Sequence, residues 1–193
     1  AAKMMLNPLT TRINILAIPG IRDNIVTDWV GRRVSEYGRA IYVMDIPSYT
    51  DGEKRIFDND GRFPDVDKTT ELFETRRIDN NFCATYWPDV SIIDDVSGHP
   101  VSVPASVAAV AAMGYNDNVA YPWFAPAGFN RAALSNVTNV KARLNGADRD
   151  TLYEARINPI ASFPNAGFVI FGQKTLQVMK SALDRVNVRR MLL

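Results

Sequence analysis

Apolar and polar positions along the first quarter of the chain follow a strand, helix and strand pattern. The run at 12–18 is almost continuously apolar and stops at Pro19, which is typical of a strand buried on both faces and predicts a central strand. Apolar residues then recur with helical spacing between a possible N-cap at Asp23 and a stop at Gly38. A second buried run follows at 40–46. This order predicts a parallel crossover unit, whose sheet needs helices on both faces.

The rest of the chain predicts further helices and strands, separated by two stretches without a regular period. Helices are predicted over 67–77, 105–113 and 147–155, and strands over 82–93, 159–163 and 167–172. Asp67 is the expected N-cap of the first of these helices, Gly114 the expected end of the second, and Pro88 the expected break in the first strand. The polar stretch 49–64 predicts a surface loop with room for a short helix, and the stretch 116–136, rich in Pro, Gly and aromatic residues, predicts an ordered but irregular segment.

These elements together predict an α/β fold, with α+β as the alternative. We expect a mixed, largely parallel sheet with helices on both faces, plus a small C-terminal strand-pair subdomain. The chain is divided into an α/β core region at 1–115 and a second region at 116–193, which combines the irregular segment with the C-terminal subdomain. The last residues, 188–193, are still apolar and resemble the first turns of a helix, so we expect the chain to be truncated there.

Composition places the chain among soluble globular proteins. Its 193 residues are 47% hydrophobic and 22% charged, with a net charge of +1. A charge so close to zero provides no field to gather nucleic acid or an anionic membrane, and no apolar run approaches the ~20 residues of a membrane helix. The single cysteine, Cys83, lies in an apolar run, which favours a buried thiol and a reducing cytoplasm.

The residue patterns of common active sites are missing. The one histidine, His99, lies in a turn with little around it to orient it as a base. The sequence has no Gly-x-Ser-x-Gly elbow, Walker loop, Gly-x-Gly-x-x-Gly or His-Glu-x-x-His. One His and one Cys far apart cannot build a closed structural zinc site without carboxylates. We therefore expect no catalytic residue, no cofactor and no metal.

Two weaker patterns were weighed against ordinary turns. The run Asp58-Asn59-Asp60-Gly61, with Asp65 and Asp67 after it, resembles a calcium loop, but alignment on its glycine puts Ile56 at the first ligand position. The run 19–23 follows the first strand, where a helix N-terminus could hold phosphate, yet it has one glycine and a carboxylate would face the anion. A plain turn is favoured in both places.

Several short segments, mostly in the second half of the chain, share a distinctive order and spacing. They are Tyr86-Trp87-Pro88-Asp89-Val90 with Asp94, 103–110, 125–128, 157–160, Phe163-Pro164, 167–172, Thr175-Leu176 and 186–190. In this order they resemble the contractile tail sheath family of bacteriophages and related contractile injection machines. The runs 15–20 and 45–47 are similar to the first strands of that family, so the resemblance covers almost the whole chain.

The resemblance implies a structural subunit and not an enzyme. Such subunits form hexameric rings stacked helically around an inner tail tube and shorten to drive the tube through a cell envelope. The implied partners are copies of the chain, the inner tail tube protein, and baseplate and tail terminator proteins, with no nucleic acid and no membrane. The implied location is the virion tail sheath, after synthesis in the host cytoplasm. Arg189 and Arg190 are expected to support subunit or domain contacts; the alternative is that they solvate a helix start.

Two other functions stay open from the sequence. The chain could be another tail or baseplate component with a sheath-like core, or a small α/β nucleotide-binding enzyme, which is less favoured. Members of the family usually begin with an extended arm and continue past the segment that resembles 186–190 into a helix and a C-terminal arm. We therefore interpret the chain as a core fragment, and we expect the 193-residue chain alone to be a soluble monomer.

Overall fold

Ten strands and six α-helices form in the described part of the chain, residues 2–57 and 61–193 of a computed structural model. The helices are α1 (Ala2–Met5), α2 (Asn24–Tyr37), α3 (Val66–Glu74), α4 (Ala105–Val119), α5 (Gly146–Glu154) and α6 (Val186–Met191). The strands are β1 (Ile15–Ala17), β2 (Ile41–Met44), β3 (Ser48–Tyr49), β4 (Arg55–Ile56), β5 (Cys83–Trp87), β6 (Val90–Ile93), β7 (Pro100–Val103), β8 (Val137–Val140), β9 (Ile157–Phe163) and β10 (Gly167–Ile170).

The main sheet has five strands in the order β1-β2-β5-β9-β10. The first four are parallel, and β10 runs antiparallel to β9. The register aligns Val43 of β2 with Ala84 of β5, and Tyr86 of β5 with Asn158 of β9. The prediction of a mixed, largely parallel sheet is therefore confirmed. The prediction of a central strand at 12–18 is wrong, because β1 covers only Ile15–Ala17 and lies at the edge of the sheet, where Leu16 alone of its residues is buried.

Side chains of successive residues in the central strands enter two separate hydrophobic cores. Tyr42 and Met44 pack on one face with α2, α3 and α5, whereas Ile41 and Val43 pack on the other face with α4 and α6. All four of these side chains are buried. Because β2 is buried on both faces, its sequence is a continuous apolar run and does not alternate. The prediction of helices on both faces is confirmed.

A second, three-stranded antiparallel sheet packs over the α4 face in the order β7-β6-β8. The single strand predicted at 82–93 is therefore wrong, because β5 belongs to the main sheet and β6 to the small one. Pro88 separates them, since it has no N–H to continue a ladder. The loop predicted over 49–64 also contains a short antiparallel pairing of β3 with β4.

Two helix boundaries differ from those predicted. Asp65, and not Asp67, is the N-cap of α3, where its carboxylate accepts a hydrogen bond from Lys68 N at 2.8 Å. The helix expected to end at Gly114 continues to Val119. A mid-helix glycine costs only about 1 kcal/mol, which the packing of the residues around it outweighs: the side chains of Met113 and Asn116 are fully buried.

The C-terminal strand pair forms as predicted, but it does not stand apart. Strand β9 also pairs with β5, so β9 and β10 complete the main sheet, and the small separate sheet is β7-β6-β8 instead. The division into 1–115 and 116–193 stays a prediction, although strands from both ranges share the main sheet. Among residues 2–57 and 61–193, none of the helices combines the length and apolar character needed to cross a membrane.

Candidate functional site

The carboxyl edge of the parallel strands is the usual place for a ligand site in an α/β sheet. Such crevices form where the strand order reverses and neighbouring connections part. In the described sheet the neighbours follow chain order from β1 to β10, so the order does not reverse. Instead, the N-terminus of α4 lies across this edge, held by two carboxylates that follow β2 and β5.

Asp45, directly after β2, is the more deeply buried of the two carboxylates, with 2% of the residue exposed. Its Oδ1 accepts a hydrogen bond from Ser106 N at 2.9 Å, and its Oδ2 accepts from Ser106 Oγ at 2.7 Å. Oδ2 also accepts from Gly20 N at 3.0 Å. A carboxylate at a helix N-terminus is favoured by the helix dipole and satisfies N–H groups that lack helical partners. Asp45 therefore ties α4 to the loop after β1.

Asp89, directly before β6, makes the second tie. It accepts a hydrogen bond from Ala105 N at 3.3 Å, and it pairs with Arg22 through Nη2 at 2.8 Å. Burial raises the pKa of the Asp89 carboxyl above its ordinary value, and the Arg22 guanidinium opposes this shift. Both charges are nearly buried, so this pair links the first helical connection to the start of α4 and the small sheet.

The loop 19–23, weighed as a phosphate site, is occupied by contacts within the chain. Gly20 N donates to Asp45, and the Arg22 side chain is paired with Asp89. Asp23 is the N-cap of α2, as predicted, and accepts from Val26 N at 3.0 Å. The donors that would hold an anion are thus engaged, and the geometry favours a strand-to-helix turn.

The possible calcium loop lies partly outside the described residues, because 58–60 fall in the gap. Of the remaining carboxylates, Asp65 caps α3 and Asp67 lies in the first turn of that helix. Within 2–57 and 61–193, three or more His, Cys, Asp or Glu side chains are nowhere grouped so that they could hold a metal ion.

The one histidine and the one cysteine of the sequence lie in different elements of the fold. His99 is exposed in the turn between β6 and β7, where its carbonyl oxygen accepts a hydrogen bond from Asp94 N at 3.0 Å. Cys83 is buried in β5, and burial raises the pKa of its thiol to about 12. The prediction of a buried thiol is confirmed, and this thiol is protonated at neutral pH.

An open groove of about 680 Å³ lies between α2 and the segments 79–82 and 177–183. Its described lining carries Arg32, Glu36 and Asp79 among amide, hydroxyl and apolar side chains, without histidine or cysteine. This mixture contains no nucleophile paired with a base, so it does not resemble a catalytic constellation.

Arg189 and Arg190 lie in α6 and are buried, with 9% and 7% of each residue exposed. Arg190 Nη2 donates to Asp117 Oδ2 in α4, which fixes α6 to the last turns of that helix. The Arg189 guanidinium lies 3.6 Å from the ring centroid of Phe82, and burial lowers its pKa. The alternative that the two arginines solvate a helix start is therefore wrong. Their expected role between subunits stays a prediction.

One exposed surface was not found from the sequence. The segment after α4 was expected to be packed by its own rings, and the rings of Tyr121 and Trp123 do stack, with centroids 4.5 Å apart and planes at 4°. About half of each residue nevertheless stays exposed, 56% and 49%. Tyr115 and Val119 near the end of α4 and Met191 of α6 are exposed as well, and α6 is bonded to this segment through Asn187, whose Nδ2 donates to the carbonyl oxygen of Trp123 at 3.0 Å. We call this set the aromatic surface: Tyr115, Val119, Tyr121, Trp123 and Met191.

A second exposed apolar surface lies at the carboxyl edge of the sheet. Ile21 lies in the loop two residues before Asp23, the N-cap of α2, and Ile25 and Val26 lie in the first turn of that helix; all three are exposed. We call this set the carboxyl-edge surface: Ile21, Ile25 and Val26. An aliphatic residue at a few exposed positions is an ordinary feature of a protein surface.

Part of the chain is similar in sequence to curated proteins of phages. The chain is 47% identical over 77 residues to the tail sheath protein of Vibrio phage KVP40, which covers 40% of this chain and 12% of that protein. It is 38% identical over 91 residues to the tail sheath protein of Enterobacteria phage T4, which covers 47% of this chain and 14% of that protein. The chain therefore matches about an eighth of the length of these curated relatives.

Solved structures share the fold. The helical sheath of the anti-feeding prophage in its contracted state is 22% identical, with a TM-score of 0.62 over 93% of this chain and 43% of that chain. A chain of the baseplate of the same particle gives a TM-score of 0.64 at 21% identity, over 93% of this chain and 42% of that chain. The family model described as phage tail sheath protein central domain matches residues 4–176. The chain therefore belongs to the phage tail sheath protein family.

Proposed function

We propose that this chain is a structural subunit, or the core of one, in a contractile tail sheath that assembles helically around a tail tube and shortens to drive it through a cell envelope. The observation that carries the proposal is the family match over residues 4–176, nearly the whole chain. The polar network at the carboxyl edge supports it as well, because its carboxylates are used to hold α4 and not to bind a ligand.

The way α4 is fixed suits a subunit that moves as a rigid body. At its N-terminus α4 is bonded to Asp45 and Asp89, and near its C-terminus Asp117 is paired with Arg190. Between these ends the helix packs against the main sheet through its alanine-rich face. In assemblies that change shape by rotation of whole subunits, the interfaces rearrange while packed cores do not deform. A core braced at both ends of one helix meets that requirement.

The partners in this proposal are copies of the chain in stacked rings, an inner tail tube protein, and baseplate and tail terminator proteins. The chain is no enzyme and needs no cofactor: the energy for shortening comes from rearranged subunit contacts. The proposed location is the tail sheath of a virion, after synthesis in the host cytoplasm. Arg189 and Arg190 serve the subunit contacts by holding α6 in place, since both side chains are buried within the chain.

Antibody labelling of tail particles tests the proposed function. Antibodies raised against the 193-residue chain are applied to tailed particles from the source, and the bound gold is counted along the tail by electron microscopy. We expect gold along the whole length of the tail shaft. Tails without label, or gold on capsids alone, would reject the proposal.

A baseplate component is the second candidate, because the fold is shared with a baseplate chain of the anti-feeding prophage. In that case the gold would lie only at the distal end of the tail. The nucleotide-binding alternative has its own test, a thermal-shift screen with nucleotides and divalent metals. A ligand present at a hundred times its dissociation constant stabilises a protein by about 2.7 kcal/mol, which such a screen detects.

A further inference from the structure

We propose that a small oxyanion, a phosphate or a carboxylate, binds in a pocket between α2 and the segment 76–80 that follows α3. The pocket has a volume of about 280 Å³, against about 30 Å³ for one water molecule in the liquid, so it has room for such an ion with part of its hydration shell. We call it the Arg76 pocket, and its lining includes Thr27, Asp28, Arg32, Met44, Arg77 and Cys83. The inference is independent of the proposed function, since it concerns a ligand of the single chain.

The Arg76 guanidinium is buried but only partly bonded. Its side chain is 6% exposed, and Nη2 donates to Asp28 Oδ1 at 2.5 Å and to Thr27 Oγ1 at 2.7 Å. Nε and Nη1 are also buried, and neither has a hydrogen-bond partner among the described residues. A buried charged donor without a partner is costly, so an acceptor that reaches these two nitrogens would stabilise the pocket.

The space around Arg76 decides which acceptor fits. Arg76 also lines a void of about 10 Å³ beside Phe73, which is no larger than a single water requires. The Arg76 pocket is much larger and opens to solvent between Arg32 and Arg77, whose side chains are exposed. A ligand larger than one water therefore fits at Arg76 only on this side.

The charges that line the Arg76 pocket favour an anion. Three guanidinium groups face two carboxylates, which leaves one positive charge in excess: Arg32, Arg76 and Arg77 against Asp28 and Asp79. Water satisfies a donor but does not neutralise an excess charge, whereas an oxyanion does both.

Both carboxylates of the pocket are already used within the chain. Asp28 is paired with Arg76, and Asp79 Oδ1 accepts a hydrogen bond from Val178 N at 2.9 Å. Arg32 and Arg77, in contrast, have no ion-pair or hydrogen-bond partner within residues 2–57 and 61–193. The two exposed guanidinium groups are thus available to a ligand, and planar guanidinium groups match the oxygens of phosphates and carboxylates.

The inner wall of the pocket strengthens this attraction. Met44 and Cys83 are buried there, with 1% and 2% of each residue exposed, and attraction between charges is stronger beside such a wall than in open water. The Arg76 guanidinium is also held in place, because it lies 5.5 Å from the ring centroid of Phe73 and is bonded through Nη2. A donor fixed before binding loses little conformational entropy when the ligand arrives.

Titration of the 193-residue chain with inorganic phosphate at constant ionic strength tests the site by isothermal calorimetry. We expect saturable one-to-one binding with a dissociation constant on the order of 1 mM. The double variant Arg32→Gln with Arg77→Gln should bind phosphate about tenfold more weakly, with an unchanged circular dichroism spectrum, because both side chains are exposed. Arg33→Gln is the matched control: Arg33 is the exposed neighbour of Arg32 in α2, but it does not line the pocket.

The Arg76 Nε–H signal in ¹H–¹⁵N NMR spectra, assigned by triple-resonance experiments, reports the contact without any substitution. Phosphate should shift this signal and leave that of Arg33 in place. Heat that does not saturate, equal weakening by the control and the double variant, or an unshifted Arg76 signal would each overturn the proposal. Acetate titrated in parallel distinguishes the two sources of the oxyanion: tighter phosphate binding assigns the pocket to a phosphate group, and tighter acetate binding assigns it to a carboxylate.

Discussion

Replacing Asp45 by alanine removes the most buried tie at the start of α4. The carboxylate accepts three hydrogen bonds, from Gly20 N, Ser106 N and Ser106 Oγ, at 2.7 to 3.0 Å. A hydrogen bond to a charged group contributes about 1.5–3 kcal/mol, and such bonds around one acceptor are not additive. Ser106 is buried, so its donors are left with little access to water. We expect Asp45→Ala to lower the free energy of unfolding by about 3–5 kcal/mol.

Urea denaturation followed by tryptophan fluorescence measures this loss. In a chain of this size the melting temperature should fall by roughly 10 °C, since each kcal/mol corresponds to about 2–4 °C. Asp94→Ala is the matched control, because Asp94 also accepts backbone N–H groups, Ser97 N at 3.0 Å among them, but in an exposed turn where water can replace it. Asp45→Asn keeps one acceptor oxygen and should lie between the wild type and Asp45→Ala.

A loss below about 1 kcal/mol for Asp45→Ala, with an unchanged denaturant slope, would contradict this role of the Asp45 carboxylate. Equal losses for Asp45→Ala and Asp94→Ala would refute it too, because burial would then have no part in the effect. Either result would mean that the edge of the sheet tolerates an unbonded α4, and the polar network there would need a purpose other than stability.

Three further measurements test other parts of the structure. Burial raises the pKa of the Asp89 carboxyl above its ordinary value of 3.8. Asp89 therefore contributes its full stabilisation below pH 3.8, and this contribution is lost as the pH rises through the raised pKa. In urea titrations the wild type should gain stability relative to Asp89→Asn as the pH is lowered from 7 towards 4. A double-mutant cycle of Arg190→Met with Asp117→Asn should give a coupling of about 1–3 kcal/mol in urea, whereas a near-zero value would assign Arg190 a role outside the folded chain. Gly114→Ala should stabilise α4 by about 0.5–1 kcal/mol and so raise the melting temperature, because the added methyl group meets open space. Gly172→Ala should lower the melting temperature, because its methyl group would lie 3.2 Å from the Asn158 backbone.

The elements that the sequence predicted well are those defined by local signals. Helix α2 and strand β2 follow directly from a buried run at 40–46 and from caps at Asp23 and Gly38, both of which the structure confirms. These signals lie within a few residues of the backbone groups that they satisfy, so pattern and propensity are enough.

Features that depend on distant residues could not be predicted in the same way. The place of β9 in the main sheet depends on Asn158, whose side chain donates to the carbonyl of Thr85, 73 residues earlier, at 3.0 Å. The burial of Arg190 depends on Asp117, also 73 residues away. Arginine is usually exposed, so nothing in the local sequence distinguishes a solvated one from one that closes a helix pair.

The candidate site also combines features that local sequence predicts with features that depend on distant residues. The absence of catalytic patterns was an inference from composition and motifs, whereas the use of Asp45 and Asp89 to hold α4 is visible only in three dimensions. The aromatic run 121–124 was noticed in the sequence, but whether rings pack inward or stay exposed depends on the backbone path that Asn116 and Asn187 fix.

A helical reconstruction of intact tails by electron cryomicroscopy tests the central claim most directly, namely that this chain builds the wall of a contractile tail sheath. We expect the five-stranded sheet, with α2 and α4 on its two faces, to fit the density once in every repeat along the whole shaft. Density for this fold only at the distal end of the tail, or nowhere in the shaft, would contradict it.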